Sequence, residues 1–394
     1  MLFSELNLKA EIVTALSEKG FTEPTEIQAR CIPPIMEGKD IVGRSQTGSG
    51  KTFAFGLPAI NRIDMSKEGV QALALCPTRE LAMQVAEEIQ KAVTHLPGCN
   101  VAAVYGGAGM ESQIKALKTA KIVVATPGRL MDHMKRRNLN PSTITYVVLD
   151  ECDEMLDMGF RDDIEKILER VTSERQTVMF SATMPGPIRA LAKTYMKELE
   201  FIELCAPNST LTEIQQTYIK TEFGRKLPAL IQLFKNYPVR SAVVFCNTKR
   251  MTEEVCIQLK KNDIHALMLN GDMQQSARKK VMDDIKSHKA NLLVATDVAA
   301  RGIDIDDINY VVNFDLPGDV EYYIHRIGRT GRAGKSGNAV TIIDSREDMI
   351  MLNYYMKESN SNIAEHALSR NDLYVIKPAV PFANRGERMF RRRH

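Results

Sequence analysis

The sequence predicts an α/β protein built from two parallel-sheet domains in tandem, with a cleft between them. Three observations predict it. Short apolar, β-branched runs alternate with helical stretches along nearly the whole chain, the pattern of βαβ units and a parallel sheet. The alternation breaks once, in a polar stretch around Pro207, and then restarts. At 394 residues the chain also exceeds one ordinary core, because single cores stop growing beyond roughly 250–300 residues.

In the first half the strand runs are Asp40–Arg44, Ala72–Cys76, Val101–Tyr105, Ile122–Ala125, Thr145–Leu149 and Thr177–Phe180. Amphipathic segments separate them. In Arg79–Val93, for example, Leu81, Ala82, Val85, Ala86 and Ile89 recur at helical spacing. Cys205–Glu213 is polar, contains a proline and has no periodicity, so it reads as a linker. Beyond it the strand runs are Ala242–Phe245, Ala266–Leu269, Leu292–Ala295, Tyr310–Asn313 and Ala339–Ile343. The helical segments there are Arg225–Phe234, Thr252–Lys260, Ser276–Ser287 and Val320–Ile327. The expected division is therefore a domain over 1–206, a linker at 207–213, a domain over 214–365 and a tail over 366–394.

Composition narrows the class. Hydrophobic residues make up 44% and charged residues 26%, which excludes a disordered chain, a collagen and a disulfide scaffold. No apolar run approaches the roughly 18 residues of a membrane helix, and the first residues lack the pattern of a signal peptide. Seven scattered cysteines without a C-x-x-C pair argue for reduced thiols in a cytoplasmic protein and against a metal site of their own. The net charge of +3 is uneven: residues 1–206 are slightly acidic, and the last fourteen residues hold five arginines against one glutamate. Bulk charge thus does not announce a nucleic-acid partner.

Local chemistry is more specific. Ser45-Gln46-Thr47-Gly48-Ser49-Gly50-Lys51-Thr52 follows an apolar strand and opens a helix-compatible run, the context a P-loop requires. Its glycines let backbone N–H groups wrap a phosphate at a helix N-terminus. Lys51 is placed to reach the outer phosphates and Thr52 to offer a hydroxyl to Mg²⁺. The strict pattern has glycine at the position of Ser45, a mild departure. Asp150-Glu151-Cys152-Asp153 directly follows the strand run ending at Leu149. A carboxylate there, Asp150, suits Mg²⁺ through its waters. Glu151 is placed to orient or deprotonate a water that attacks a γ-phosphate. Acidic residues after a strand are commonly a solvated loop; pairing with the P-loop turns the balance toward an NTPase.

Over roughly residues 1–365 these motifs, with others in the same order, resemble the DEAD-box ATP-dependent RNA helicases (superfamily 2), in a D-E-C-D form of the acidic motif. Gly20-Phe21-Thr22-Glu23-Pro24-Thr25-Glu26-Ile27-Gln28, with the upstream Phe3, is similar to the family's adenine-reading segment, here 1–29. The resemblance assigns Phe3, Phe21, Thr25 and Gln28 to ATP. A Gln amide matches adenine N6 and N7, and an aromatic ring can pack on the base. Pro77-Thr78-Arg79, Gly106-Gly107 and Thr126-Pro127-Gly128-Arg129 are similar to RNA-contacting motifs, which suit backbone phosphates rather than bases. Ser181 and Thr183 resemble the motif that couples hydrolysis to strand separation, through Asp153. In the second half, Thr248, Gly271, Arg278 and Thr296 fall at RNA-binding positions, and Gly302 and Asp304 at the ATP ribose. His325-Arg326-Ile327-Gly328-Arg329-Thr330-Gly331-Arg332 is the most specific block. The resemblance places His325 in the catalytic set and makes Arg329 and Arg332 arginine fingers.

Two further departures stand out. Cys152 replaces the family's alanine, and Asn270 replaces a histidine expected at the domain interface. The resemblance implies two RecA-like domains with an inter-domain ATP/RNA cleft, ATP and Mg²⁺ as cofactors, and RNA-stimulated ATP hydrolysis. It implies local unwinding of short duplexes or remodelling of RNA–protein complexes. The partner is RNA, held by its backbone, in a ribosomal or messenger ribonucleoprotein, with no membrane; a monomer is expected. Two rivals are an ATP-gated RNA clamp with slow hydrolysis and a DNA-dependent helicase or translocase.

Overall fold

The structure is a computed structural model, and it describes residues 1–44, 49–172, 174–184, 186–203, 214–236, 241–300, 308–331 and 337–366. The first half runs α1 (Ala10–Ser17), α2 (Glu26–Met36), β1 (Ile41–Arg44), α3 (Lys51–Asn61), β2 (Ala72–Leu75), α4 (Arg79–Ala92), β3 (Asn100–Val104), α5 (Met110–Leu117), β4 (Ala120–Ala125) and α6 (Pro127–Lys135). It continues with β5 (Tyr146–Leu149), α7 (Cys152–Asp157), α8 (Arg161–Arg170), β6 (Gln176–Ser181), α9 (Gly186–Tyr195) and β7 (Glu200–Glu203). The second half runs β8 (Ile214–Lys220), α10 (Lys226–Asn236), β9 (Ala242–Phe245), α11 (Lys249–Lys261), β10 (Leu267–Leu269), α12 (Gln275–Lys286) and β11 (Leu292–Ala295). It closes with α13 (Asp297–Ala300), β12 (Tyr310–Asn313), α14 (Val320–Ile327), β13 (Gly337–Ile343), α15 (Arg346–Glu358) and β14 (Ala364–Glu365).

Two seven-stranded sheets result, in the orders β3-β4-β2-β5-β6-β1-β7 and β10-β11-β9-β12-β13-β8-β14. Counted from the first strand of each half, the two orders are identical. The strand pairings are parallel throughout. Helices cover both faces, so the central strands are apolar on both sides, as in Tyr146-Val147-Val148-Leu149. Alternate residues of β5 feed opposite cores: Tyr146 and Val148 pack with Phe55 and Ile89. Val147 and Leu149 pack with Ile164 and Met179 on the other face. The strand expectations hold within a residue or two, except that β7, β8 and β14 were not foreseen. The expected linker at 207–213 and the tail beyond His366 lie outside the described residues.

A parallel sheet of this kind collects its ligands at the carboxyl ends of the strands. Residues 77–79, 106–107, 126–129, 150–153, 181–183, 248, 271 and 296 lie at or just past the carboxyl ends of β2, β3, β4, β5, β6, β9, β10 and β11. Among the described residues no helix is long and apolar enough to cross a membrane.

Candidate active site

The expected phosphate cradle ends at the start of α3. Ser45, Gln46, Thr47 and Gly48 fall outside the described residues, so its geometry is seen from Ser49 onward. Gly50 caps α3 with φ +89°, and a Cβ there would stand 2.5 Å from the Gln28 amide nitrogen. Only glycine fits that left-handed, crowded position. Lys51, the first residue of α3, is 7% exposed, so its charge faces the interior of the site, and Thr52 follows it.

The segment expected to read adenine is built into this cradle. Gln28 is 3% exposed; its Nε2 donates to the Gly50 carbonyl at 2.9 Å and its Oε1 accepts from the Thr25 N–H at 2.9 Å. The Thr25 hydroxyl donates to the Ser49 carbonyl at 2.9 Å. Gln28 therefore buttresses the loop; each of its polar atoms keeps capacity for one further bond. The two aromatics separate. Phe3 is 3% exposed inside the first core, so its ring cannot stack on a base, which corrects the expectation for it. Phe21 is 45% exposed and meets Phe53 edge-on at 5.4 Å, leaving a face for an aromatic ligand.

Asp150 and Glu151 follow β5 and are 3% and 7% exposed. Asp150 Oδ1 accepts the Glu151 N–H at 3.0 Å. Glu151 itself adopts φ 50°, a left-handed conformation rare for a side-chain-bearing residue and common at functional turns. Burial raises the Asp150 pKa, and the Lys51 charge opposes it. Burial and then the Asp150 charge push Glu151 up to about 7, against the pull of Lys51 and Arg329. A carboxyl group poised near neutrality suits a general base. Arg329 comes from the end of α14 in the other lobe, so the acidic pair feels one cation from each half. Arg332, the second expected finger, lies outside the described residues, as do Gly302 and Asp304.

The coupling motif is half as expected. Asp153 Oδ2 accepts from the Thr183 N–H at 2.9 Å, the Thr183 hydroxyl at 3.0 Å and the Ala182 N–H at 3.1 Å. The Ser181 hydroxyl is buried and makes no hydrogen bond within the protein, and Asp153 Oδ1 is likewise buried without one. Cys152 is fully buried in the core below, and burial raises its thiol pKa.

The expected RNA-facing residues converge on one loop of the first lobe. Thr78 caps α4 by accepting the Leu81 N–H at 3.2 Å, which follows Pro77. The Arg79 guanidinium lies against Gly106 and Gly107; a Cβ on Gly107, whose φ is +87°, would stand 2.3 Å from Arg79 Nη1. From the other side Arg129 Nη1 donates to the Ala108 carbonyl at 3.1 Å. Thr126 and Pro127 start α6, and the space beside Gly128 is open. Sequence reasoning missed the buried Gln113, which donates to the Tyr105 carbonyl at 2.9 Å and bonds the His133 ring at 3.0 Å. It holds the same loop, and a lone Gln at helical spacing gave no signal.

In the second lobe Thr248 caps α11, and Lys249 beside Gly271 pairs with Asp272. Thr296, 8% exposed, starts α13. Two expectations change. Among the described residues Asn270 makes its hydrogen bonds within its own lobe: it is 1% exposed, its Oδ1 accepts the Asp272 N–H at 3.2 Å and its Nδ2 reaches Thr252 Oγ1 at 3.5 Å. Arg278 is engaged by protein groups, donating to Glu80 at 2.6 Å and to the Ala299 carbonyl at 2.7 Å. It joins the lobes, because Glu80 is on α4.

The residue most plainly missed is Arg326. It is 2% exposed and donates to both Asp297 oxygens at 2.6 Å, to Asn247 Oδ1 at 2.8 Å and to the Asp315 carbonyl at 2.5 Å. Its guanidinium also faces the Phe245 ring at 5.2 Å. One side chain thereby locks the ends of β9, β11 and β12 together. Across the cleft, His325 Nδ1 meets Glu154 Oε1 at 3.0 Å. Burial alone would lower the His325 pKa, but the Glu154 hydrogen bond and the Asp153 charge raise it above the ordinary value.

A glycine-capped cradle with a buried lysine, an acidic pair at the next strand end and an arginine from a second lobe of the same topology define a class: two-lobed RecA-like proteins. Residues 25–191 match the DEAD/DEAH box helicase model and residues 225–334 the helicase conserved C-terminal domain. The chain is 44% identical over 352 residues to ATP-dependent RNA helicase DeaD of Escherichia coli, covering 89% of this chain and 56% of that one. It is 47% identical over 346 residues to ATP-dependent RNA helicase CshA of Listeria monocytogenes, covering 88% and 66%. The chain thus spans less than two-thirds of the length of these curated relatives. Among solved structures, Saccharomyces cerevisiae Dbp5 bound to RNA and ADP BeF3 superposes with a TM-score of 0.85 at 30% identity, covering 93% of this chain and 95% of that one. The chain belongs to the DEAD-box RNA helicase family.

Proposed function

We propose that the protein is an ATP-dependent RNA helicase that hydrolyses ATP in response to RNA, opening short duplexes or remodelling RNA–protein complexes. One observation carries this reading. Lys51 and Arg329, from opposite lobes, both act on the buried Glu151. A hydrolytic centre assembled from two lobes is complete only when they close, which couples turnover to whatever closes them. Relatives named as ATP-dependent RNA helicases, and a similar structure with RNA and ADP BeF3 bound, favour RNA and ATP as the closing ligands.

In this mechanism Phe21 packs on the base of ATP, with Gln28 offering its remaining donor and acceptor. The cradle from Ser45 to Thr52 wraps the phosphates. Asp150 and Thr52 would hold Mg²⁺. The fit is reasonable: Asp150 is a buried carboxylate whose pKa burial raises, which a cation would relieve. Among the described residues no group of three or more His, Cys, Asp or Glu could cage a metal. Mg²⁺ commonly relies on one or two carboxylates, waters and substrate phosphates instead. When bound, the ion would neutralise charge between the phosphates. Glu151 takes the proton of the attacking water, and Arg329 and Arg332 stabilise the charge developing on the transferred group. Arg79, Arg129 and the helix starts at Thr78, Thr126, Thr248 and Thr296 hold RNA phosphates, so the grip is sequence-blind and salt-dependent. Cys152 is small and buried, so the acidic motif works in its D-E-C-D form. We place the protein in the cytoplasm as a monomer acting on a ribosomal or messenger ribonucleoprotein; the six described cysteines, all free thiols, are in keeping with a reducing compartment.

Glu151→Gln tests the reading. RNA-stimulated turnover should fall at least ~10³-fold while ATP and RNA remain bound together. Unchanged turnover would remove Glu151 from its role. Stimulation by DNA but not RNA in the parent protein would favour a translocase. Long RNA residence without duplex opening would favour a clamp.

A further inference from the structure

Helices α7 and α14 face each other across the cleft, and their contacts form a register. Glu154 and Asp157 are three residues apart on α7, so they share a face; Tyr322 and His325 do the same on α14. Tyr322 Oη donates to Asp157 Oδ2 at 3.0 Å, and His325 meets Glu154 at 3.0 Å. The pairing is antiparallel: one residue back from Glu154 by a turn is Glu151, and one turn on from His325 lies Arg329. Arg329 acts electrostatically on Glu151, which is the third rung of the same ladder.

We propose that the Tyr322–Asp157 rung is a latch between the lobes, and that both are positioning residues which set the alignment of α14 so that Arg329 lands over Glu151. The inference rests on the two-lobe hydrolytic reading above and names residues that reading does not use. Asp157 is exposed and Tyr322 half-buried, at the outer end of the ladder, where water can enter when the lobes part. A single hydrogen bond from a phenol to a carboxylate changes the closed fraction by a modest factor.

Tyr322→Phe deletes only the hydroxyl and keeps the ring. With the latch, the concentrations of ATP and RNA giving half-maximal ATPase rate should rise about three- to tenfold, with the rate at saturation of both nearly unchanged, because ligands then drive closure. Asp157→Ala should do the same. The double variant should fall well short of the product of the two single effects, because each single change already breaks the shared bond. Asp157→Asn, whose Oδ1 still accepts from the phenol, should restore most of the affinity. The reading is overturned if Tyr322→Phe leaves both half-maximal concentrations within twofold of the parent. It is equally overturned if the effects of Tyr322→Phe and Asp157→Ala multiply in the double variant, or if the saturated rate falls while half-maximal concentrations hold. A parent protein without RNA-stimulated ATPase activity would instead refute the proposed function and not the latch.

Discussion

Replacing Arg326 by alanine tests whether one guanidinium organises the second lobe. The structure allows the effect to be sized. Arg326 gives a bidentate pair to Asp297 with both distances at 2.6 Å, and further bonds to Asn247 and the Asp315 carbonyl. Removing one partner of a buried ion pair costs roughly 3–5 kcal/mol, because the other charge stays buried and unpaired. Asp297 is 24% exposed on its side chain, so water recovers part of that, and the lower end, about 3 kcal/mol, applies. That is a large share of a typical domain stability of about 5–15 kcal/mol. Arg326→Lys should fall between, since a point charge keeps one contact but loses the fork. The assay is urea unfolding with peptide-level hydrogen exchange, which localises the loss. Exchange should accelerate over β9, β11, α13 and α14 and stay unchanged over the first sheet. A loss under about 1 kcal/mol, or one spread evenly over both lobes, would refute the hub.

Two further outcomes follow from the site. The raised His325 pKa makes the His325–Glu154 rung stabilise the closed form fully below pH 6.5, the ordinary value, with loss as the pH climbs through the raised value. The charged groups around His325 are Glu154, Asp153, Arg329 and Glu321. RNA affinity with a non-hydrolysable ATP analogue should weaken over that rise in the parent and lose that component in His325→Asn; identical profiles would refute the rung. Gly107→Ala forces a side chain into a φ of +87° and drives its Cβ into Arg79 Nη1. The strain alone is roughly 1–2 kcal/mol, so RNA stimulation should weaken about tenfold with the fold intact, and equal RNA affinity would count against the Arg79–glycine contact.

The central strands were legible because burial on both faces writes itself as continuous apolar runs, as in Val147-Val148-Leu149. Strand β8 was not. Ile-Gln-Gln-Thr-Tyr-Ile-Lys alternates buried and exposed residues next to a two-residue edge strand, and its glutamines and threonine hide the apolar period. Strand β7 is an edge of four residues, Glu-Phe-Ile-Glu, with one buried side chain. The motifs were legible as spacings, yet their partners were not. Glu80 and Arg278 lie far apart in sequence, and only the docking of the lobes brings them to 2.6 Å. Phe3 looked like a stacking ring because an isolated aromatic carries no record of which side of a helix covers it.

The shared strand order explains why two lobes are needed rather than one. β1 and β8 occupy the same place in their sheets, and each leads into a helix whose first residue is lysine: Lys51 on α3 and Lys226 on α10. The connections differ in chemistry. Before Lys51 the chain is Ser45-Gln46-Thr47-Gly48-Ser49-Gly50, which can wrap an anion with backbone N–H groups. Before Lys226 it is Thr221-Glu222-Phe223-Gly224-Arg225, with a carboxylate and one glycine. Lys226 is also already neutralised, at 2.8 Å from Asp348 and 3.6 Å from Asp344, with only 13% of its side chain exposed. Lys51 instead lies near enough to Asp150 and Glu151 for its charge to lower both carboxyl pKa values. On the proposed function, the second lobe keeps its lysine paired with carboxylates at the position where the first lobe's lysine would meet phosphate. What it contributes instead is Arg329, from the end of α14. On the proposed function, a cradle in one lobe and a cation from the other make hydrolysis a property of the closed pair.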